Sequence, residues 1–366
     1  MTNMRPAPHG RGAPRTGRKT PAVAVGLLVA LSVAGCTGAD PGDRAAAATS
    51  SAAGGDVGVE LQASYEHVIA DVLPSVVEIR SSTGLGSGVV YDRHGDIVTN
   101  AHVVGSDTTF QVLSAASAKA MTATLVGVYQ PNDIAVIKVD GGSDLQPATF
   151  ADSSKADVGE IVLAMGNPLG LSATVTNGII SALGRTVSEP TTQESPGATL
   201  PNTIQTSASI NPGNSGGALV DLRGRVVGIP TLAALAPPNE GGGAAPGIGF
   251  AIPSDDVRRI ADQLVKTGSV TSSGRAALNV GVTTLTDQSG APQGVGVVTV
   301  ADGGAAQQAG IQPGDVIVSV DGKKTPTAKA LGAVLAELHV GDKVRVGVLR
   351  GGDQKQLTVT LGELGG

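Results

Sequence analysis

Three short segments carry side chains that together can perform acyl transfer. Thr99-Asn100-Ala101-His102-Val103-Val104 sets a histidine just after a strand-like run. In Asn132-Asp133-Ile134-Ala135-Val136-Ile137-Lys138 an acid opens an apolar strand. Asn211-Pro212-Gly213-Asn214-Ser215-Gly216-Gly217 holds a serine among glycines. A serine nucleophile needs a base to take its hydroxyl proton, an acid to hold that base in one tautomer, and backbone N–H donors for the oxyanion. Glycine suits the last need: Gly213 can turn its N–H inward, while Gly216 and Gly217 keep side chains off a substrate. Each string alone is common, and a lone histidine after a strand usually serves the surface or the core. The other histidines compete poorly: His9 lies in the basic leader, His67 on a helix, His94 in a turn and His339 at a helix end.

The elements that would position these groups are strands. With 366 residues, the chain suits two compact units plus connections. From Ser75 the sequence runs in short apolar stretches broken by Gly, Asn and Asp, among them Val76-Val77-Glu78-Ile79, Asp96-Ile97-Val98-Thr99, Glu160-Ile161-Val162-Leu163 and Arg225-Val226-Val227-Gly228-Ile229. Such runs predict a mostly β protein, a barrel or sandwich. A helical stretch over 61–73 precedes them. After Pro253, Ser254 is expected to cap a helix with Val257, Ile260, Ala261, Leu264 and Val265 on one face, ended by Gly268. Thr271-Ser272-Ser273-Gly274 reads as a linker. The second unit has strands near 294–300, 315–320, 343–349 and 356–361, and a helix with Leu331, Val334, Leu335 and Leu338 on one face, opened by Thr325-Pro326.

The leader reads as an address. Residues 1–35 carry Arg5, Arg11, Arg15, Arg18 and Lys19 with no acid, then an apolar run over 21–34 shorter than the roughly 20 residues of a spanning helix. Leu31-Ser32-Val33-Ala34-Gly35-Cys36 is similar to a bacterial lipobox, whose cysteine is lipid-modified. Residues 37–60, rich in Ala, Gly, Ser, Thr and Asp, read as a flexible tether. Cys36 is the only cysteine, which leaves no intramolecular disulfide and no zinc site. Beyond the leader, 20 basic side chains (25 less those five) face 31 acidic ones, a net charge of about −11 that repels phosphate backbones. Aromatics at 2% argue further against nucleic-acid stacking. The expected organisation is a signal over 1–35, a tether over 36–60, a catalytic unit over 61–268 and a second unit over 269–366.

The chain resembles the HtrA/Deg peptidases over residues 65–366. The segments that carry the resemblance are Gly86-Ser87-Gly88-Val89-Val90 leading to the His102 string, Gly166-Asn167-Pro168-Leu169-Gly170 with Val175-Thr176-Asn177-Gly178-Ile179-Ile180-Ser181-Ala182, and Gly247-Ile248-Gly249-Phe250-Ala251-Ile252-Pro253. The order His, Asp, Ser is that of chymotrypsin and differs from the orders of α/β-hydrolases and subtilisin. Ala305-Ala306-Gln307-Gln308-Ala309-Gly310-Ile311-Gln312-Pro313-Gly314-Asp315-Val316-Ile317 is similar to the PDZ hallmark.

The resemblance implies a chymotrypsin-like double β-barrel followed by a PDZ domain. It makes His102 the general base, Asp133 its orienting acid and Ser215 the nucleophile. Gly213 and Ser215 N–H groups would form the oxyanion hole, with Asn214 between them. Ser209, at the position six before the nucleophile, puts no carboxylate at the base of the primary pocket, which Ile210 and Ile229 would line. Val280, Gly281 and Val282 would bind a peptide end in the PDZ groove by strand addition. The function implied is an envelope serine endopeptidase on unfolded proteins, lipid-anchored, trimeric by family analogy and without cofactor or metal. The alternative is a PDZ-bearing chaperone or scaffold with a dormant site. Three departures from the family pattern stand out: Ser207 where Asp is usual, Ala218 where Pro is usual and Pro230 where Asn is usual.

Overall fold

A computed structural model describes residues 53–82, 84–114, 120–167, 174–188, 199–211, 213–235 and 244–365. The expected signal, Cys36, the tether up to residue 52 and the centre of the Thr186–Asn202 loop lie outside the described residues. Helix α1 (Ala53–Val72) starts ahead of the stretch expected from Leu61.

Two strand rings follow. The first closes in the order β1-β2-β3-β6-β5-β4, from β1 (Val76–Arg80), β2 (Leu85–Val90), β3 (Asp96–Thr99), β4 (Thr109–Ser114), β5 (Met121–Tyr129) and β6 (Ile134–Val139). A four-residue helix, α2 (Ala101–Val104), leaves the end of β3. Strand β7 (Thr149–Phe150) leads into the second ring, β8 (Ile161–Gly166), β9 (Thr174–Ser188), β10 (Thr199–Thr206), β11 (Ala218–Asp221), β12 (Arg225–Leu235) and β13 (Ala244–Pro253). Its order is β8-β9-β10-β13-β12-β11, closed by the β11–β8 ladder, with β7 parallel to β12 outside it.

The continuous apolar runs have a physical reason here. Successive side chains of a strand point to opposite faces, and these strands bury both. In β1, Val77 and Ile79 face the first barrel's interior while Val76 joins a core shared between the barrels. In β6, Ala135 and Ile137 point inward while Ile134 and Val136 join the shared core. The second barrel repeats the pattern: Val162 and Ala164 of β8 point inward, Leu163 and Met165 outward into the same shared core. By contrast β4 has one wet face and alternates, with Phe110 and Val112 buried between exposed Thr109 and Gln111.

Helix α3 (Ser254–Thr267) covers the shared core with Val257, Ile260, Ala261 and Leu264, and Tyr65, Val68, Ile69 and Val72 of α1 pack on it too. Gly268 ends α3 at φ 71°, the left-handed turn glycine adopts freely. Ser254 is not the cap that the sequence suggests. It is the first helical residue, with Pro253 in the boundary position and no side-chain cap, and its hydroxyl donates to the Ala151 carbonyl at 2.9 Å.

The C-terminal part is a sheet in the order β15 (Val280–Thr286), β16 (Pro292–Val300), β17 (Val316–Val320), β19 (Lys343–Arg350), β20 (Asp353–Thr360). The short β18 (Lys323–Lys324) pairs with β17, and β14 (Ala276–Ala277) pairs with β21 (Gly362–Glu363). Helices α4 (Ala305–Gln308) and α5 (Ala328–Leu335) complete it. Thr327, rather than Thr325-Pro326, caps α5 by accepting from the Ala330 N–H at 3.0 Å. Arg275 anchors this part to the barrels: its guanidinium donates to the Pro131 carbonyl, to Asn132 Oδ1 at 3.3 Å and to the Thr199 carbonyl at 3.0 Å. Burial pulls Arg275 below the ordinary arginine range.

Asp315 carries a pH signature. Arg350 donates to both its oxygens, Nε to Oδ1 at 2.6 Å and a terminal nitrogen to Oδ2 at 2.7 Å, and the Gln312 N–H adds a third bond. These bonds, the Arg350 one foremost, hold the Asp315 carboxyl below its usual value. A depressed folded pKa gives stability above the unfolded value of about 3.9, lost as pH falls through the folded value. Hydrogen exchange in the β16–β20 peptides under urea should therefore show protection falling as pH drops below about 4. Asp315→Asn should lower protection at neutral pH and flatten that acid limb; parallel curves for the two proteins would contradict the assignment.

Candidate active site

His102, Asp133 and Ser215 come from three places in the chain and converge at the seam between the barrels. Asp133 follows a 3-10 turn at Gln130–Asn132 and precedes β6, with a left-handed φ of 51°. Aspartate tolerates that region better than most residues, and its own N–H is held by the Gln130 carbonyl. The start of α2 grips it: Ala101 N–H and Asn100 Nδ2 both donate to the Asp133 carbonyl, at 3.1 and 3.0 Å. The His102 N–H reaches Asp133 Oδ1 at 3.0 Å.

The imidazole completes the grip. His102 Nδ1 lies 2.9 Å from Asp133 Oδ2. An ionised carboxylate only accepts, so Nδ1 carries the proton and the neutral ring's lone pair sits on Nε2, the tautomer a general base needs. The Thr231 hydroxyl donates to the same Oδ2 at 2.6 Å. Asp133 is 2% exposed, so three donors satisfy a carboxylate taken almost wholly out of water.

Ser215 sits in a loop folded back on itself. Gly217 N–H bonds to the Asn214 carbonyl at 2.9 Å, Asn214 N–H to the Asn211 carbonyl at 3.0 Å, and Gly216 N–H to the Pro230 carbonyl at 3.0 Å. Asn214 is buried, and its Nδ2 donates to the Ser209 carbonyl at 3.2 Å. The Ser215 hydroxyl donates to the Thr231 carbonyl at 3.0 Å. Thr231 thus touches two members of the constellation, its hydroxyl on the acid and its carbonyl on the serine. Gly213 has φ 105°, open to glycine and strained for other residues. A Cβ on Gly216 would fall 2.2 Å from the Ser87 carbonyl oxygen, so glycine there reflects close backbone approach.

The expected pocket residues separate. Ile210 packs inside the second barrel, Ile229 lies in the shared core, and Ser209 is exposed. The Ser209 carbonyl also accepts from Thr176 Oγ1 at 2.8 Å. Val280, Gly281 and Val282 run along β15 and line a cavity of about 510 Å³ with Ala328, Leu331 and Leu335 of α5. Asn279, just before β15, is left-handed at φ 58°, and its Nδ2 ties to the Glu363 carbonyl at 2.7 Å.

The departures from the family pattern leave the scaffold joined. Ser207 Oγ accepts from the Ile179 N–H at 3.0 Å, Ala218 opens β11 against Met165, and the Pro230 carbonyl holds Gly216. Sequence reasoning missed Thr231, Asn100 and Ser87. For Ser87 the flanking Gly86 and Gly88 were a usable signal of close backbone approach.

Comparison with known proteins gives the family of the chain. The trypsin-like peptidase domain matches residues 86–229 and the PDZ domain residues 276–361. "Protease Do-like 1, chloroplastic" of Arabidopsis thaliana is 41% identical over 293 residues, 76% of this chain and 63% of the relative. "Serine protease Do-like HtrA" of Lactobacillus helveticus is 40% identical, over 75% of this chain and 68% of the relative. The chain therefore spans about two thirds of the length of these relatives, and 56% of the periplasmic serine endoprotease DegP of Escherichia coli. The solved serine endoprotease from Yersinia pestis aligns with a TM-score of 0.53 and 34% identity, covering 82% of this chain and 98% of that one. On sequence and fold together, the chain belongs to the Do-like, or HtrA, family of serine proteases, with a trypsin-like peptidase domain followed by a PDZ domain.

Proposed function

We propose that this protein is a serine endopeptidase that cleaves unfolded or misfolded proteins through an acyl-enzyme. The observation that carries the reading is the shared contact of Thr231 with both Asp133 and Ser215, beside the 2.9 Å His102–Asp133 bond. The Ser215 hydroxyl turns from the Thr231 carbonyl to His102 Nε2 and gives it the proton as the oxygen attacks the scissile carbonyl carbon. The oxyanion is held by the N–H groups of Gly213 and Ser215, with Asn214 between them. Collapse breaks the C–N bond, and His102 passes its proton to the leaving amine. Water, deprotonated by His102, then attacks the ester and restores Ser215. Asp133 holds the ring and stabilises the imidazolium throughout.

Ser209, six residues before Ser215, brings no carboxylate to pair a Lys or Arg. Although Ile210 and Ile229 are buried in two different cores, the reading kept is cleavage after small or medium aliphatic residues such as Val or Ala. The dormant chaperone or scaffold is the less favoured reading, since the related proteins are named as proteases. One experiment tests both points: digestion of a mixed peptide library by wild type and by Ser215→Ala. Wild type should cut after Val and Ala and the variant should fall by about 10⁵-fold or more. Equal activity in the two would remove the peptidase reading, while cuts after Lys or Arg would remove the pocket assignment.

The proposal extends to place and partners. The leader and Cys36 fit a lipid-anchored protein outside the cytoplasm, and the PDZ domain would receive an extended chain end along Val280-Gly281-Val282. A homotrimer follows by family analogy, with no cofactor. Cys36→Ala should move the protein from the membrane to the soluble fraction on cell fractionation. Unchanged membrane retention would speak for an uncleaved signal anchor instead.

A further inference from the structure

Ser87 lies outside the acid, base and nucleophile, yet it makes four hydrogen bonds at the seam. Its hydroxyl donates to the Gly213 carbonyl at 2.5 Å and accepts from the Asn167 N–H at 2.9 Å. Its own N–H donates to the Ser215 carbonyl at 3.0 Å, and its carbonyl accepts the Thr99 hydroxyl at 2.7 Å. The residue is fully buried. Ser87 belongs to β2 of the first barrel, whereas Asn167, Gly213 and Ser215 belong to the second. The neighbours fix its position closely. A Cβ on Gly86 would meet Val103 at 2.5 Å, and one on Gly88 would meet Ile97 at 2.6 Å, so β2 is drawn in as far as bare backbone allows.

The peptide unit between Gly213 and Asn214 is the piece this hydroxyl holds. Its carbonyl is pinned by Ser87 and its N–H by the Asn211 carbonyl. Along the chain the Gly213 N–H immediately precedes this unit and the Ser215 N–H immediately follows it. Gly213 at φ 105° has little steric resistance to turning, so an unpinned plane could rotate and carry either donor out of line. We infer that Ser87 is a positioning residue for acyl transfer, which sets the 213–214 peptide plane and with it the aim of both oxyanion donors. This inference rests on the peptidase reading for its kinetic consequence, and on geometry alone for its hold on the loop. It also makes oxyanion alignment depend on the fit between barrels, because the hydroxyl and the loop come from different ones.

The test compares wild type, Ser87→Ala and Ser87→Cys as full chains. Cysteine keeps the shape with a weaker donor, and it decides by the same criteria if the alanine variant does not fold. Ser87→Ala should lower kcat by about 30-fold, a fraction of the loss seen when an oxyanion donor is deleted outright, and shift KM less than about threefold. A peptidyl trifluoromethyl ketone, which forms a tetrahedral adduct on serine, should lose affinity in proportion to kcat, while a non-covalent peptide of the same sequence should not. Hydrogen exchange over 211–217 should quicken, with the β1 and β6 peptides unchanged. A kcat within about threefold of wild type, equal losses for both ligands, or unchanged exchange over 211–217 would each overturn the inference. If wild type and Ser215→Ala are equally inactive, the peptidase reading fails, and the exchange data alone still decide whether Ser87 holds the loop.

Discussion

The Asp133 carboxylate is the point on which the two barrels must agree. Two of its three donors, the His102 N–H and Nδ1, come from the first barrel, and the third, the Thr231 hydroxyl, comes from the second. A buried carboxylate left short of partners costs several kcal/mol, so the barrels cannot separate or rotate without exposing that cost. Thr231 then hands the constraint on, because its carbonyl receives the Ser215 hydroxyl. The serine and the acid thus take their positions from one residue.

That polar contact is affordable only because an apolar one surrounds it. The shared core brings Val76, Val98, Ile134 and Val136 of one barrel against Leu163, Met165, Val220 and Ile229 of the other, and α3 closes over them. Water kept from the seam strengthens each hydrogen bond in it. The glycines serve the same end by a different route. Gly216 and Gly217 have backbone oxygens where a Cβ would sit, so the nucleophile loop can lie directly on Ser87 and Met165.

Much of this was legible in the sequence, for a physical reason. A strand that buries both faces must be apolar without alternation, so β1, β3, β6 and β8 announce themselves as short unbroken runs. The side chains proposed as catalytic sit at the ends of such runs, in strings of unusual local composition, which made His102, Asp133 and Ser215 readable together. Thr231 was not readable, because a threonine in a strand is ordinary, and for Ser87 the flanking glycines signal only close backbone approach, since the partners of both residues lie across the seam. Ser254 misled for the converse reason: its residue type suits a cap, but the helix begins at Ser254 itself, one residue too early for that role. The start of α1 was obscured by Gly54 and Gly55, poor helix formers in the propensity scale, which here extend a helix whose later turns are held by packing.

The central claim is that acid, base and nucleophile act as one unit across the seam, with the oxyanion aimed at the loop that Ser87 holds. A crystal structure of the chain after reaction with a peptidyl phosphonate measures it most directly. The account predicts phosphorus bonded to Ser215 Oγ, the phosphonyl oxygen within hydrogen-bond reach of the Gly213 and Ser215 N–H groups, the His102–Asp133 bond kept, and the serine oxygen released from the Thr231 carbonyl. An adduct on another residue, or a phosphonyl oxygen turned away from both N–H groups, would contradict it.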